Sequence, residues 1–313
     1  MKLTAAFFRL IRYPNLIYIA LTQFLLQYCV VTPVLRYNGS EPSLPLPYFI
    51  VLVLSTVIVA AAGYIINDYF DINIDIVNKP DKMVVDKIIN RRWAMAWHTL
   101  LNMAGVSMGF ILAWNIGQIY LGFVQVLSSL LLWFYSTSFK RQVLIGNIVI
   151  SFLTALSVVV VGFYERQIYE SFEAIMSPAG RKLIQIIGVY ALFAFLISMV
   201  REIVKDLEDM IGDAKDGCRT IPIVWGVEPA KRLCYALLIA LQGLIILVEI
   251  RVGFAGWFWA IAYLLLFVQA PGFYILRLLQ KAHLPEHYHR VSSLVKVLML
   301  TGILSMIFFK LLL

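Results

Sequence analysis

Long apolar runs, each close to twenty residues, alternate along the chain with short polar connections. Nine of them occupy residues 15–35, 46–66, 94–113, 117–136, 143–164, 183–201, 233–250, 256–276 and 293–312. A helix of about 20 apolar residues covers the hydrocarbon of a bilayer. In lipid only helices and closed barrels satisfy their own backbone, and runs this continuous lack the alternation of barrel strands. The pattern predicts an all-α fold, a multi-pass membrane bundle of nine transmembrane helices forming one domain over residues 1–313. Composition agrees: the chain is 61% hydrophobic and 14% charged, where soluble domains carry about 25% charged residues.

Charge orients the bundle. With nine spans, the N-terminal segment and the even-numbered loops share one side. Of the 26 basic residues, Arg36, Arg166, Arg181, Lys182, Arg251 and Lys310 alone fall on the other side. The crowded side, which includes Lys79 and Lys82, is therefore expected to be cytoplasmic. The net charge of +8 suits anionic lipid head groups and anionic substrates. Basic residues divided among membrane loops offer no nucleic-acid surface. The first span is too long for a signal peptide's apolar region, and no small-residue cleavage site precedes Pro33, so it is expected to remain a span. Cys29, Cys218 and Cys234 have no metal or redox spacing.

Acidic residues change the picture further, because they gather in the two long cytoplasmic loops, about 67–93 and 202–232. In NDYFDINIDIVNKPDK, Asn67, Asp71 and Asp75 recur every fourth residue and line one face of a helix, with Asp68 beside them. In REIVKDLEDMIGDAKDG, Asp206, Asp209 and Asp213 share a stripe if the sixth span continues as helix into the loop. Two carboxylate stripes at a membrane surface repel unless a cation lies between them. Magnesium is usually held by one or two carboxylates completed by phosphate oxygens. Arg201, Lys205, Lys140 and Arg141 nearby suit an anionic ligand, so carboxylates, Mg²⁺ and Lys/Arg together describe a diphosphate site. The apolar bundle beneath would accept a long hydrocarbon tail.

Other readings remain open. The acids could be loop charges paired locally with Lys and Arg, or part of an ion pathway such as a cation-coupled transporter uses. A pathway should continue with polar groups across the bilayer, and the other spans are nearly free of charge. His283, His287 and His289 in HLPEHYHR lack a further ligand cluster and fit an interfacial loop better than zinc. His98 fits an interhelical hydrogen bond.

The two acidic motifs resemble the signatures of the UbiA superfamily of intramembrane prenyltransferases. YSTSFKRQVLIGN, residues 135–147, is similar to a further segment of that family, with Phe139 where leucine is usual. Within the superfamily both motifs look most like those of the branch that prenylates a glycerol phosphate lipid, the digeranylgeranylglyceryl phosphate synthases. Ile72 stands where members of quinone pathways more often carry Arg, and Ile76 where a basic residue is common.

The resemblance implies transfer of a geranylgeranyl-type group from its diphosphate to the hydroxyl of a prenylated glycerol phosphate, with Mg²⁺ as cofactor. The alternative is C-prenylation of an aromatic acceptor. By the same resemblance Asp71, Asp75, Asp209 and Asp213 are catalytic, and these with Asn67, Asp68 and Asp206 hold metal. Lys140, Arg141, Arg201 and Lys205 take the diphosphate. Arg12, Asn15, Tyr64, Tyr135 and Asn147 face the acceptor or the allylic cation, whose charge aromatic faces would stabilise. Tyr69 and Phe70 are further aromatic candidates, as open to simple packing as to that role.

Overall fold

The computed structural model describes residues 2–78 and 80–313. Lys79, counted above among the basic loop residues, lies outside them, as do the side chains of Lys2 and Lys82. Nine helices among the described residues are long and apolar enough to cross a membrane: Tyr13–Tyr37, Leu46–Phe70, Arg91–Asn115, Ile119–Thr137, Ile145–Phe163, Pro178–Lys215, Val227–Phe254, Phe258–Gln280 and Pro285–Leu312. Each matches a predicted run. The bundle turns large apolar side chains outward, with Phe254 89%, Trp259 80% and Trp114 75% exposed, as a lipid-facing surface requires.

The first and eighth spans each contain a wide helical turn, Leu26–Val31 and Leu265–Gln269, just before Pro33 and Pro271. Proline lacks an N–H and its ring clashes with the carbonyl four residues earlier. Those carbonyls belong to Cys29 and Phe267, inside the widened turns, which make room without breaking the span.

Close approach elsewhere depends on small residues. A Cβ on Gly105 would lie 2.7 Å from Val59 Cγ2, and Ser55 Oγ donates to the Gly105 carbonyl at 2.7 Å. This pins the second span to the third through a small-residue contact common between membrane helices.

The sixth span organises the rest, packing on the fifth, seventh and ninth. Ser177 caps its start, accepting from Gly180 N at 3.0 Å, with Pro178 in the first turn. Its apolar run predicts an end near residue 201, yet the helix continues to Lys215. Most of the expected 202–232 loop is therefore helix, since Ile221–Val224 and the stretch from Val227 are helical as well. Ile203, Val204 and Leu207 explain the extension: all three are buried between the charged positions and pack into the core shared with the seventh, eighth and ninth spans.

The first motif differs in the opposite sense. The second span ends at Phe70, Asp71 leaves helical geometry at φ −89° and ψ 4°, and a short helix resumes over Ile72–Asn78. The uninterrupted helix expected from the four-residue repeat is broken at its central aspartate. One bond still crosses the break, Asp75 N donating to the Asp71 carbonyl at 2.8 Å.

Candidate active site

Asn78 joins the two motifs. Its amide nitrogen donates to the Asp209 carbonyl at 2.9 Å, and its oxygen accepts from Gly212 N at 3.0 Å. A Cβ on Gly212 would lie 2.5 Å from that amide, so glycine is what lets the short Ile72–Asn78 helix seat against the end of the sixth span. The acidic stripes thus open onto the same side of the bundle and face one cavity of about 870 Å³. Every residue singled out in the sequence as a ligand or pocket group lines it except Arg141, Tyr69 and Phe70.

Arg141 instead pairs with Asp216 at 2.7 Å, and its carbonyl accepts from Arg219 N at 2.9 Å. It ties two loops together beside the cavity. Tyr69 and Phe70 also lie outside the lining: Tyr69 stacks under Arg91, and Phe70 packs edge-on against Trp133.

The carboxylates inside are held by exchangeable partners. Asn67 Nδ2 donates to Asp71 Oδ2 at 2.7 Å, and Lys140 pairs with the other oxygen of Asp71. Asn147 Nδ2 donates to Asp206 Oδ2 at 2.8 Å. Glu202 sits between Arg201 at 2.8 Å and Lys205 at 3.7 Å. The Tyr135 ring lies between the motifs, within the electrostatic reach of Glu202, Asp71 and Asp206.

Arg12 reaches in from the start of the first span. It adopts a left-handed backbone at φ 51°, uncommon for a side-chain-bearing residue. That turn aims its guanidinium at Asp68, 2.7 Å away, and over the Tyr64 ring, 5.2 Å from its centroid. Burial alone would lower the Arg12 pKa, but Asp68 and Tyr64 outweigh it and raise the value. The group stays charged. Cys218 also lines the cavity; burial, reinforced by the charge of Asp213, pushes its thiol up to about 11.

No cluster of three His, Cys, Asp or Glu ligands is preassembled among the described residues. Magnesium does not require one, because it keeps several waters and takes phosphate oxygens alongside one or two carboxylates. The donor set present is hard oxygen. Asn67 Oδ1 is buried and accepts no hydrogen bond, a costly state for a polar atom with nothing to coordinate. These residues fit a magnesium ion.

Several participants were missed in the sequence. Asn78 lies within the quoted first motif but beyond its aspartate repeat, so no role was assigned to it. Glu202 and Glu208 were hidden among other charges of the sixth span. Glu208 pairs with His289 Nδ1 at 2.8 Å, which places one of the three clustered histidines at the rim of the cavity. His98 behaves as expected, its Nδ1 lying 2.9 Å from the Ala62 carbonyl.

The description "UbiA prenyltransferase family" matches residues 29–294, most of the chain and both acidic motifs. The chain belongs to the UbiA prenyltransferase family. Among family relatives, it is 39% identical over 182 residues to the digeranylgeranylglyceryl phosphate synthase of Methanothermobacter thermautotrophicus, a match covering 58% of this chain and 57% of that one. The chain thus spans less than two thirds of that relative's length. It is 32% identical over 248 residues to the synthase of the same name from Methanopyrus kandleri, covering 79% and 82%.

A solved structure concerning digeranylgeranylglyceryl phosphate synthase superposes over 98% of this chain and 99% of the other, with TM-score 0.63 and 24% identity. A UbiA homolog from Archaeoglobus fulgidus bound to DMAPP and Mg²⁺ matches 96% of this chain and 98% of its own, with TM-score 0.55 and 17% identity. Those likenesses establish the UbiA fold.

Proposed function

We propose that the protein is a Mg²⁺-dependent intramembrane prenyltransferase that moves a geranylgeranyl-type group from its diphosphate to the hydroxyl of a prenylated glycerol phosphate. The observation that carries this reading is the joining of both acidic motifs around a cavity that is charged at one end and apolar at the other. Along the sixth span the lining runs from Asp213 to Tyr190, about 34 Å at 1.5 Å per residue. An extended twenty-carbon prenyl chain measures about 20 Å from C–C bonds near 1.5 Å and fits within that depth. Val158, Met299 and Ile303 are among the apolar groups along it. The family membership and the two named synthases support the same reaction class.

Asn67, Asp68, Asp71 and Asp75 from the first motif, with Asp206, Asp209 and Asp213 from the second, would hold the metal. When bound, magnesium neutralises diphosphate charge and eases its departure. Lys140 and Lys205 add fixed positive charge at the same end, where the leaving group gains charge as the allylic C–O bond breaks. Tyr135 and Tyr64 would present ring faces to the allylic cation, while the apolar walls keep water from capturing it. The acceptor oxygen then bonds to that carbon and gives up its proton to the departing diphosphate. The acidic mouth would face the cytoplasm, following the distribution of Lys and Arg.

The test is incubation of purified protein and Mg²⁺ with radiolabelled geranylgeranyl diphosphate and a panel of prenylated glycerol phosphates and aromatic acceptors, with product masses read. A diether phosphate product is expected. Label appearing only on aromatic acceptors, or on none, would overturn the assignment.

A further inference from the structure

The ninth span contributes a cation that no motif announces. Lys296 stands about 16 Å along the helix that begins at Pro285, at 1.5 Å per residue, and lines the cavity half-buried. No ion pair to it occurs among the described residues, although neighbouring cations have partners. An unpaired ammonium inside a membrane span is costly and usually marks a ligand path.

Its electrostatic neighbours are Arg201, Lys205 and Arg12, with Glu202 as the opposing charge. Arg12 pairs with Asp68, while Arg201 and Lys205 share Glu202. Of these four cations Lys296 is the one with no carboxylate paired to it among the described residues, which leaves its charge open to an anion such as a phosphate monoester. A second observation points the same way: Arg201 Nε is buried with no acceptor. A buried N–H of a guanidinium is expensive to leave unpaired, and guanidinium is well shaped for phosphate oxygens. Ser292 and Ser293, one turn before Lys296 on the same face, add hydroxyls to the lining.

We propose that Lys296, with Arg201 and Arg12, forms a second anion site that binds the acceptor's phosphate, alongside the end where Lys140, Lys205 and the aspartates take the donor diphosphate. This rests on the function proposed above. It divides the labour between helices. The second span and the loop after the fourth serve the donor, while the first and ninth spans, together with the start of the acidic stretch on the sixth, serve the acceptor. The acceptor's charge would thereby fix its headgroup and bring the neighbouring hydroxyl towards the donor.

The experiment compares wild type, Lys296→Met and Lys296→Arg in lipid nanodiscs, varying geranylgeranyl diphosphate and the prenylated glycerol phosphate independently. For Lys296→Met the acceptor KM is expected to rise about tenfold or more, kcat to fall by less than that factor, and the donor KM to stay within about twofold. Lys296→Arg should recover most of the acceptor affinity. Inorganic phosphate should inhibit wild type competitively against the acceptor and inhibit Lys296→Met about tenfold more weakly.

An unchanged acceptor KM would overturn the proposal, and so would an equal rise in the donor KM. Inactivity of wild type on every phosphate-bearing acceptor would instead defeat the proposed reaction. In that case thermal stabilisation by inorganic phosphate still reads the site: a shift present in wild type and lost in Lys296→Met supports it, and equal shifts or none refute it. Replacing a half-buried ammonium by methionine is compatible with folding in a membrane, and the unliganded melting temperature verifies this.

Discussion

Two carboxylates at opposite ends of the bundle, the buried Glu165 and the partly buried Asp71, have different surroundings. Glu165 is fully buried. One of its oxygens accepts from Gln27 Nε2 at 3.0 Å, and the other from Ser43 N at 2.9 Å and Ser43 Oγ at 2.6 Å. These neutral donors tie the first span, its following loop and the end of the fifth into a knot. Asp71 is partnered by Asn67 and Lys140, two groups that themselves line a large cavity. The lesson is that burial of an acid does not distinguish architecture from chemistry. What does is whether its partners face packed protein or an opening where a ligand can replace them.

The comparison can be broken most sharply at the motif end. Asp71→Asn or Asp209→Asn should lower turnover about 10³-fold, the upper range for losing one electrostatic contact made in a transition state, with the melting temperature nearly unchanged. Removing the metal with EDTA should silence wild type equally, and added Mg²⁺ should restore it. Activity surviving either treatment would make Asp71 as architectural as Glu165. At the other end Glu165→Ala should invert the pattern. It strands the Gln27 and Ser43 donors, at about 1–3 kcal/mol for each unsatisfied group, so a lowered melting temperature is expected while kcat per folded molecule is retained. Loss of kcat without loss of stability would erase the distinction.

Asn78→Ala sits between these cases, because Asn78 touches only the backbone of the second motif. A fall in kcat of about tenfold, equal to about 1.4 kcal/mol, is expected as the motifs loosen. The smallest effect concerns Cys218. With a thiol value raised to about 11, it remains protonated at pH 8, and thiolate is the reactive form. Maleimide labelling of unfolded protein at pH 8 should therefore be fast and that of folded protein slow, the folded rate increasing as pH climbs towards 11. Rapid labelling of the folded form at pH 8 would contradict the described burial.

The nine spans were legible because twenty consecutive apolar residues have few other uses. Their ends were less so, since hydropathy falls silent where a helix leaves the hydrocarbon. The ninth span begins at Pro285 rather than 293, its first turns carrying Glu286, His287 and His289. The aspartate stripes were visible as a repeat, and the structure brings both to one cavity. The break at Asp71 was not, because a four-residue spacing fits helix equally well with or without an interruption at its middle. Arg141 was assigned to the diphosphate together with Lys140, yet neighbouring side chains diverge in a tight turn. Lys296 is one of the many basic residues on the crowded side, and only the convergence of three spans separates it from the others.

The sixth span behaves as one lever. At 1.5 Å per residue its 38 residues measure about 57 Å, nearly twice the thickness of the hydrocarbon. One continuous rod therefore transmits its angular setting from the Ser177 cap to the aspartates near its far tip. A single alanine inserted beside Val189 would advance everything beyond it by roughly 100° and swing the acidic stripe out of alignment with Asn78. Seven inserted residues would return it almost to its original phase, though about 10 Å further out.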